Sequence, residues 1–411
     1  MTIDWTQIEG TALRDGLLLM KEIQSLGYEA YIVGGAVRDI VMGSSHIHDV
    51  DIATNMPMDE IKKQFKAYEY GGGERHGTLL VNRNGEIFEL TQFRTEGTYT
   101  DGRRPDSVGF VQSFEEDTKR RDFTINATGV NADGVVIDYH GGCEDISKRL
   151  LRTVGEASER FTEDALRMVR AIRFASKFQF QIADETLSAI TQLKHLVASV
   201  SKERVRDELV KLAEVGPVAF ATGLEWFDKT GLLDYMIEVK RNDMTQSQYQ
   251  LIKQMDVGYF ELYLSILCGG AYSSTDVELL CGQLKLTTEQ TTGIVFAVAS
   301  HQKLASVLEL PRVDAYKLVS HRHFELLKDL YMAYTNDGSV LSDIEYLREF
   351  KVAYAMQKTI SRLMLECGVK PGVAFGQMLA RVLDTTFHYF ETNREVPSEE
   401  TIILWLESQK Q

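Results

Sequence analysis

Proline is scarce in this 411-residue chain, at six positions, so little in the sequence interrupts long helices. Cysteine is scarcer still. Cys143, Cys268, Cys281 and Cys367 lie far apart and form no CxxC pair, which argues against a disulfide framework and against a thiolate zinc site. They read as reduced cytosolic thiols. The opening residues, MTIDWTQIEG, are acidic where a secretory leader is basic, and no apolar run reaches membrane-spanning length. A soluble, cytoplasmic protein with no membrane partner is therefore expected. Internal repeats, low-complexity tracts and the dinucleotide-binding GxGxxG pattern are also missing. Basic charge is in deficit, with 45 lysines and arginines against 60 aspartates and glutamates and a net charge of −15. As a sum, this argues against a polyanionic partner. The distribution is uneven, however, because positive residues crowd into TKRRDF, SKRLLRTVGEASERF and LRMVRAIRFASK. A local basic groove on an acidic protein stays open.

The hydrophobic fraction of 44% can supply a core to each of two or more compact units. Thr6 to Leu26 has helical spacing and stops at Gly27, and EAYIV follows as a short strand. DVDIAT, TLLVN and EIFELTQF are strand-like, the last two joined by Asn84-Gly85, a hairpin signal. The polar stretch from Arg94 to Ser107 reads as a mobile loop. From about Ala157 onward the strand patterns disappear, and FTEDALRMVRAIRFASKF and SKERVRDELVKLAEV are amphipathic helices. The predicted fold class is α+β, a small mixed-sheet head of about 155 residues followed by an all-α remainder.

One segment, YIVGGAVRDIVMGSSHIHDVDIATN, concentrates chemistry. On a strand, Asp49 and Asp51 project from the same face and repel each other. A divalent cation between them relieves that repulsion, and hard carboxylate oxygens suit Mg²⁺. A solvated acidic strand face accounts for the DxD pattern as well. Glu89, on EIFELTQF, is a candidate third carboxylate. Gly34 and Gly35 end a strand and open a helix, where free N–H groups face an anion and Arg38 adds a fork suited to phosphate. A tight strand-to-helix turn explains the two glycines equally. Together these residues point to a metal-bound phosphate chain.

GGAVRD followed by DVDIAT resembles the first signature of the polymerase-β-type nucleotidyltransferase superfamily, in its class II CCA-adding (tRNA nucleotidyltransferase) branch of bacterial type. Other signatures follow in order. RRDFTINA (Arg120 to Ala127) is similar to the second motif, DYHGG (Asp138 to Gly142) to the hinge motif, and EDALRMVRAIRF (Glu163 to Phe174) to the nucleobase-reading motif. SKERVRDELVKL resembles the helix that comes next, so the resemblance covers Tyr28 to Leu212. It implies that Arg121 lies near the incoming triphosphate, that Asn126 bonds a ribose hydroxyl, and that Asp138, Gly141 and Gly142 swivel between head and helical parts. On a helix, steps of three residues put Arg167, Arg170 and Arg173 on a face of roughly 120° and leave Ala165, Met168, Val169 and Ile172 as core. A carboxylate beside an arginine accepts from the exocyclic amine of cytosine or adenine and donates to the ring nitrogen, the reverse of what guanine and uracil need. The resemblance assigns that role to Asp164 and Arg167.

The resemblance further implies a head over 1–155, a nucleobase-reading neck over 156–215, a body over 216–310 and a tRNA-binding tail over 311–411. The implied reaction is template-independent addition of CCA to the tRNA 3′ end from CTP and ATP, with two Mg²⁺ held by Asp49 and Asp51 and with Arg170 and Arg173 as electrostatic support. Partial CC- or A-adding enzymes and a bacterial poly(A) polymerase share the head motifs. A catalytically silent tRNA-binding protein is the rival from a different class.

Overall fold

From the N-terminus the chain forms α1 (Thr11–Ser25), β1 (Ala30–Val33), α2 (Gly35–Val41), β2 (Asp51–Thr54), α3 (Met58–Gln64), β3 (Ala67–Tyr68), β4 (Thr78–Arg83), β5 (Glu86–Gln92), β6 (Arg94–Glu96), β7 (Val108–Phe110), α4 (Phe114–Thr118), β8 (Thr128–Val130), β9 (Val136–Asp138) and α5 (Gly142–Ser147). These elements come from a computed structural model that describes residues 1–47, 49–69, 77–97, 107–237, 245–269 and 272–408. Seven strands pair in the order β3-β4-β5-β2-β1-β8-β9. Only β2 and β5 run parallel in that sheet. The β4–β5 turn takes Asn84 at φ 53° and Gly85 at φ 93°, the left-handed pair that the Asn-Gly signal specifies.

Alternation along the strands gives the sheet two apolar faces. Ile32, Ile52, Leu79, Val81, Phe88 and Leu90 pack against Leu13, Leu19, Met20 and Ile23 of α1, each burial worth about 2 kcal/mol. Val33, Ala53 and Phe93 face the other way, toward Phe114, whose ring stacks on Tyr31 at 4.5 Å. Because β1 and β2 are antiparallel, β1 stops and β2 starts at the same end of the sheet, with Val33 opposite Asp51.

The chain continues as β10 (Leu150–Leu151), α6 (Ala157–Glu163), α7 (Leu166–Phe178), β11 (Gln181–Ile182), α8 (Asp184–Leu193), α9 (Lys202–Ala213), α10 (Pro217–Thr230) and α11 (Leu233–Met236). The helix expected from Thr6 begins as α1 only at Thr11, after a separate 3-10 turn at Trp5–Gln7, and further details differ from the sequence-based expectation. The predicted loop from Arg94 to Ser107 opens with β6, which pairs antiparallel with β7 just beyond the stretch, while its residues 98–106 lie outside the described residues. A two-residue parallel bridge, β10–β11, persists beyond Ala157. The helix predicted over FTEDALRMVRAIRFASKF is two helices, because Asp164 adopts an extended conformation at φ −145°. Ala165, Met168, Val169 and Ile172 are buried, as the spacing predicts.

Two compact units result, Met1–Arg241 with Gln283–Lys285, and Asn242–Gly282 with Leu286–Gln411. In the second, every described element is helical. Its core includes Phe350 stacked on Phe387 at 5.1 Å, with Ile360, Leu363 and Leu406 around them. Among the described residues no helix is long and apolar enough to cross a membrane.

Candidate active site

The β2 register fixes the carboxylates. Asp51 opens β2, opposite Val33 of β1 and in register with Glu89 of β5. Asp49 is exposed and precedes the strand, which therefore starts two residues later than DVDIAT suggests. Burial first, then the charges of Asp49 and Glu89, push the Asp51 carboxyl up to about 6, with Arg121 opposing them. Among the described residues none of these three carboxylates has a hydrogen bond or ion pair, whereas every other acid around the site is held by an arginine or a backbone amide. An acidic group left uncompensated in this way fits a divalent cation. Among the described residues no group of three or more His, Cys, Asp or Glu is placed to hold a metal ion, so Glu89 does not complete a three-ligand set with Asp49 and Asp51. Mg²⁺ sites often take only one or two carboxylates and fill the remainder from water and substrate phosphate.

Gly34 lies at φ 70° and ψ −130°, a conformation that L side chains avoid. A Cβ there would sit 3.8 Å from Arg121 Nη1 and 3.9 Å from Asp51 Oδ2, so the turn brings backbone, cation and carboxylate to one point. Gly35 then begins α2 under the Arg38 guanidinium. Arg38 is only 5% exposed. Its Nη1 donates to Asn126 Oδ1 at 2.7 Å, its Nε to Asp39 at 2.8 Å, and its plane lies over the Phe178 ring at 4.6 Å. Asn126 also donates from Nδ2 to Asp122 Oδ1 at 3.2 Å. Both ends of its amide thus hold neighbouring side chains.

Arg121 Nη2 reaches Asp117 at 3.1 Å, and Arg120 reaches the same carboxylate at 2.8 Å. Burial works to raise Asp117, but the two guanidiniums outweigh it and hold the carboxyl below its ordinary value. Asp122 is kept low in the same way, against burial, by Arg170 at 2.7 Å and by Asn126. Arg173 pairs with buried Glu208 of α9.

Asp164 sits at the break between α6 and α7. Its Oδ1 accepts from the Leu166 N–H at 3.1 Å, and both oxygens take the Arg204 guanidinium, at 2.6 and 3.2 Å. Arg167 does not pair with Asp164; it pairs with Glu163 and donates to the carbonyl oxygens of Arg120, at 3.1 Å, and Arg160, at 3.2 Å. Arg204 escaped the sequence-based list. An available signal was the placement of Arg204 and Glu208 four apart on α9, beside the buried stripe Val205, Leu209 and Leu212.

One open cavity of about 710 Å³ joins Gly34, Gly35, Arg38, Asp51, Arg121, Asn126, Asp164, Arg167, Arg170 and Arg173. Arg94, Glu96, Arg120, Asp122, Phe174, Lys177 and Lys211 complete its wall and were not foreseen as site residues. Cations outnumber acids there, on a chain whose total is −15. Asp138, Gly141 and Gly142 lie elsewhere in the same unit. Asp138 accepts the N–H groups of His140, Gly142 and Cys143 at 3.2, 3.0 and 2.9 Å, and a Cβ on Gly142 would fall 2.2 Å from the Thr124 carbonyl oxygen. The turn is closely packed.

Residues 30–152 match the poly A polymerase head domain family, and residues 179–240 match a family described as the probable RNA and SrmB-binding site of polymerase A. A CCA-adding enzyme of Lactobacillus johnsonii is 53% identical over 196 residues, 48% of this chain and 49% of that protein. The chain thus spans about half the length of the first such relatives. A CCA-adding enzyme of Leuconostoc mesenteroides is 34% identical over 372 residues, 90% of each chain. The crystal structure of the Bacillus stearothermophilus CCA-adding enzyme in complex with CTP superposes with a TM-score of 0.77 at 30% identity, over 98% of both chains. On the extent of the Leuconostoc match and this shared fold, the chain belongs to the family of the CCA-adding enzymes.

Proposed function

We propose that this protein builds or repairs the 3′-terminal CCA of tRNA without a nucleic-acid template, using CTP and ATP and releasing pyrophosphate. The observation that carries the proposal is the one cavity lined by Asp51, which has no ion pair among the described residues, by Asp164 and by a majority of arginines and lysines. Family membership supports a divalent metal; Mg²⁺ held by Asp49 and Asp51 is our reading. When bound, the ion supplies a lowered pKa for the acceptor hydroxyl and neutralises charge on the leaving pyrophosphate.

The remaining work falls to side chains already in place. Gly35, Arg38 and Arg121 hold the triphosphate, with Arg38 kept rigid by Asn126 and Phe178. The tRNA 3′-oxygen attacks the α-phosphorus as the bond to the bridging oxygen breaks, and the hydroxyl proton passes to water. Glu89 contributes charge beside Asp51. Arg170 and Arg173, each tied to a carboxylate, stabilise negative charge without moving. A carboxylate offers about four lone-pair directions, so Asp164 can hold Arg204 and still accept from the amine of cytosine or adenine, while Arg167 donates to the ring nitrogen. In this reading residues 1–155 are the head, 156–215 the neck, 216–310 the body and 311–411 a tail that grips tRNA; Asp138, Gly141 and Gly142 act as the hinge. The cytoplasm is the proposed setting.

Replacing Asp49 and Asp51 together by alanine tests the mechanism. Transfer should disappear while tRNA binding persists; loss of binding together with unfolding would make the pair structural.

A further inference from the structure

Beyond the active cavity, the far end of α7 forms one wall of a second cavity of about 450 Å³. Its lining includes Met42, Arg149, Lys177, Phe178 and Phe180. Among the described residues no acid lines it, an unusual composition on a chain of net charge −15. Arg149 and Lys177 are exposed, and neither has an ion pair among the described residues. Burial and the nearby Arg38 charge push the Lys177 ammonium below its ordinary value, a repulsion that an anion would relieve. The two cavities share a residue of α7. Lys177 lines both, and Phe174 in the first stacks on Phe178 in the second at 6.0 Å and 7°. Arg149 holds its place at φ 52° on the left-handed side, its carbonyl accepting the Gln181 N–H at 2.9 Å.

We propose that this second cavity is an acceptor-strand subsite, in which a tRNA phosphate set back from the reacting 3′ end lies between Arg149 and Lys177 and its sugar and base rest on Met42 and Phe178. The inference rests on the tRNA reading above. Two unpaired cations supply the sequence-independent attraction that phosphate needs, and apolar side chains beside them accept a base face regardless of its identity. A subsite of this kind fixes the register of the strand while leaving base choice to the first cavity.

Arg149→Asn is the test, because asparagine tolerates the left-handed backbone that Arg149 occupies. With the full chain and a tRNA lacking its CCA, KM for tRNA should rise about five- to tenfold while kcat and KM for CTP stay unchanged. The slope of log binding constant against log salt should fall by about one. Arg149→Lys should recover most of the affinity, and an unaltered melting temperature would show that the fold is intact. Unchanged tRNA affinity and salt slope would overturn the proposal. So would a rise confined to CTP, which would make the cavity a mononucleotide site. If the unsubstituted protein adds no nucleotide to tRNA, the functional reading itself fails, separately from any effect of Arg149.

Discussion

At Asp51, burial and the charges of Asp49 and Glu89 hold the carboxyl near 6, above its ordinary 3.8. Between these values the native state binds more protons than the unfolded chain, so the metal-free protein loses stability as pH rises through that window, by up to about 3 kcal/mol. Asp51→Asn removes the penalty. In chelator, the variant should melt higher than the parent at about pH 7.5 and match it below about pH 4, where the parent carboxyl is protonated in both states. Equal melting at both pH values would mean that ionised Asp51 costs nothing. Asp164 makes a second prediction. Arg204 fixes its carboxylate in two hydrogen bonds, and a small displacement of a reading group can cost about a hundredfold in rate. Arg204→Ala should lower CTP and ATP addition by about that factor and raise the share of GTP and UTP incorporated, with Asp164→Ala going further in the same direction. Unchanged nucleotide preference in both variants would contradict the proposed role of Asp164 in base reading.

Elements differ in how far they could be read ahead. The turn at Gly34 and the arginines of α7 were legible because each is a local pattern, a glycine pair and a three-residue step; the DxD pattern located Asp51, but the strand begins at Asp51 and leaves Asp49 outside the alternation. The break at Asp164 was not, since EDALR is rich in helix formers and its periodicity continues through the break. At the break, Asp164 is held by Arg204, forty residues later by the numbering, and by its bond to the Leu166 N–H. An aspartate just before an apolar run is an N-terminal helix signal, and it was the local clue available. The partners of Asn126 were hidden for the same reason, because Arg38 lies 88 residues away. The DYHGG turn shows an element whose packing can be tested. Gly142→Ala would place a Cβ 2.2 Å from a carbonyl oxygen, and overpacking of this kind costs about 1–3 kcal/mol or more. The melting temperature should fall by several degrees. A variant with the parent's melting temperature but a slower addition rate would favour a moving hinge over a packed corner.

On the scale of the whole molecule, acidity and nucleic-acid chemistry are reconciled by segregation of charge. The total is −15, yet the cavity of the first unit is cationic, and its lining acids other than Asp51 are each paired with an arginine. Affinity for tRNA should therefore weaken steeply with added salt even though the protein is acidic overall; salt-independent binding would locate recognition away from these cations. The proposed division of labour along the chain rests on one reaction, and one measurement bears on it most directly. The purified protein, with Mg²⁺ and each nucleoside triphosphate alone and in combination, is given tRNA that ends just before its CCA, and the products are resolved to single nucleotides. Addition of C, C and then A, followed by a stop, is the predicted result. A long A tail, an arrest after C-C, or no addition at all would contradict it, pointing in turn to a poly(A) polymerase, a partial enzyme, or a protein that binds tRNA without modifying it.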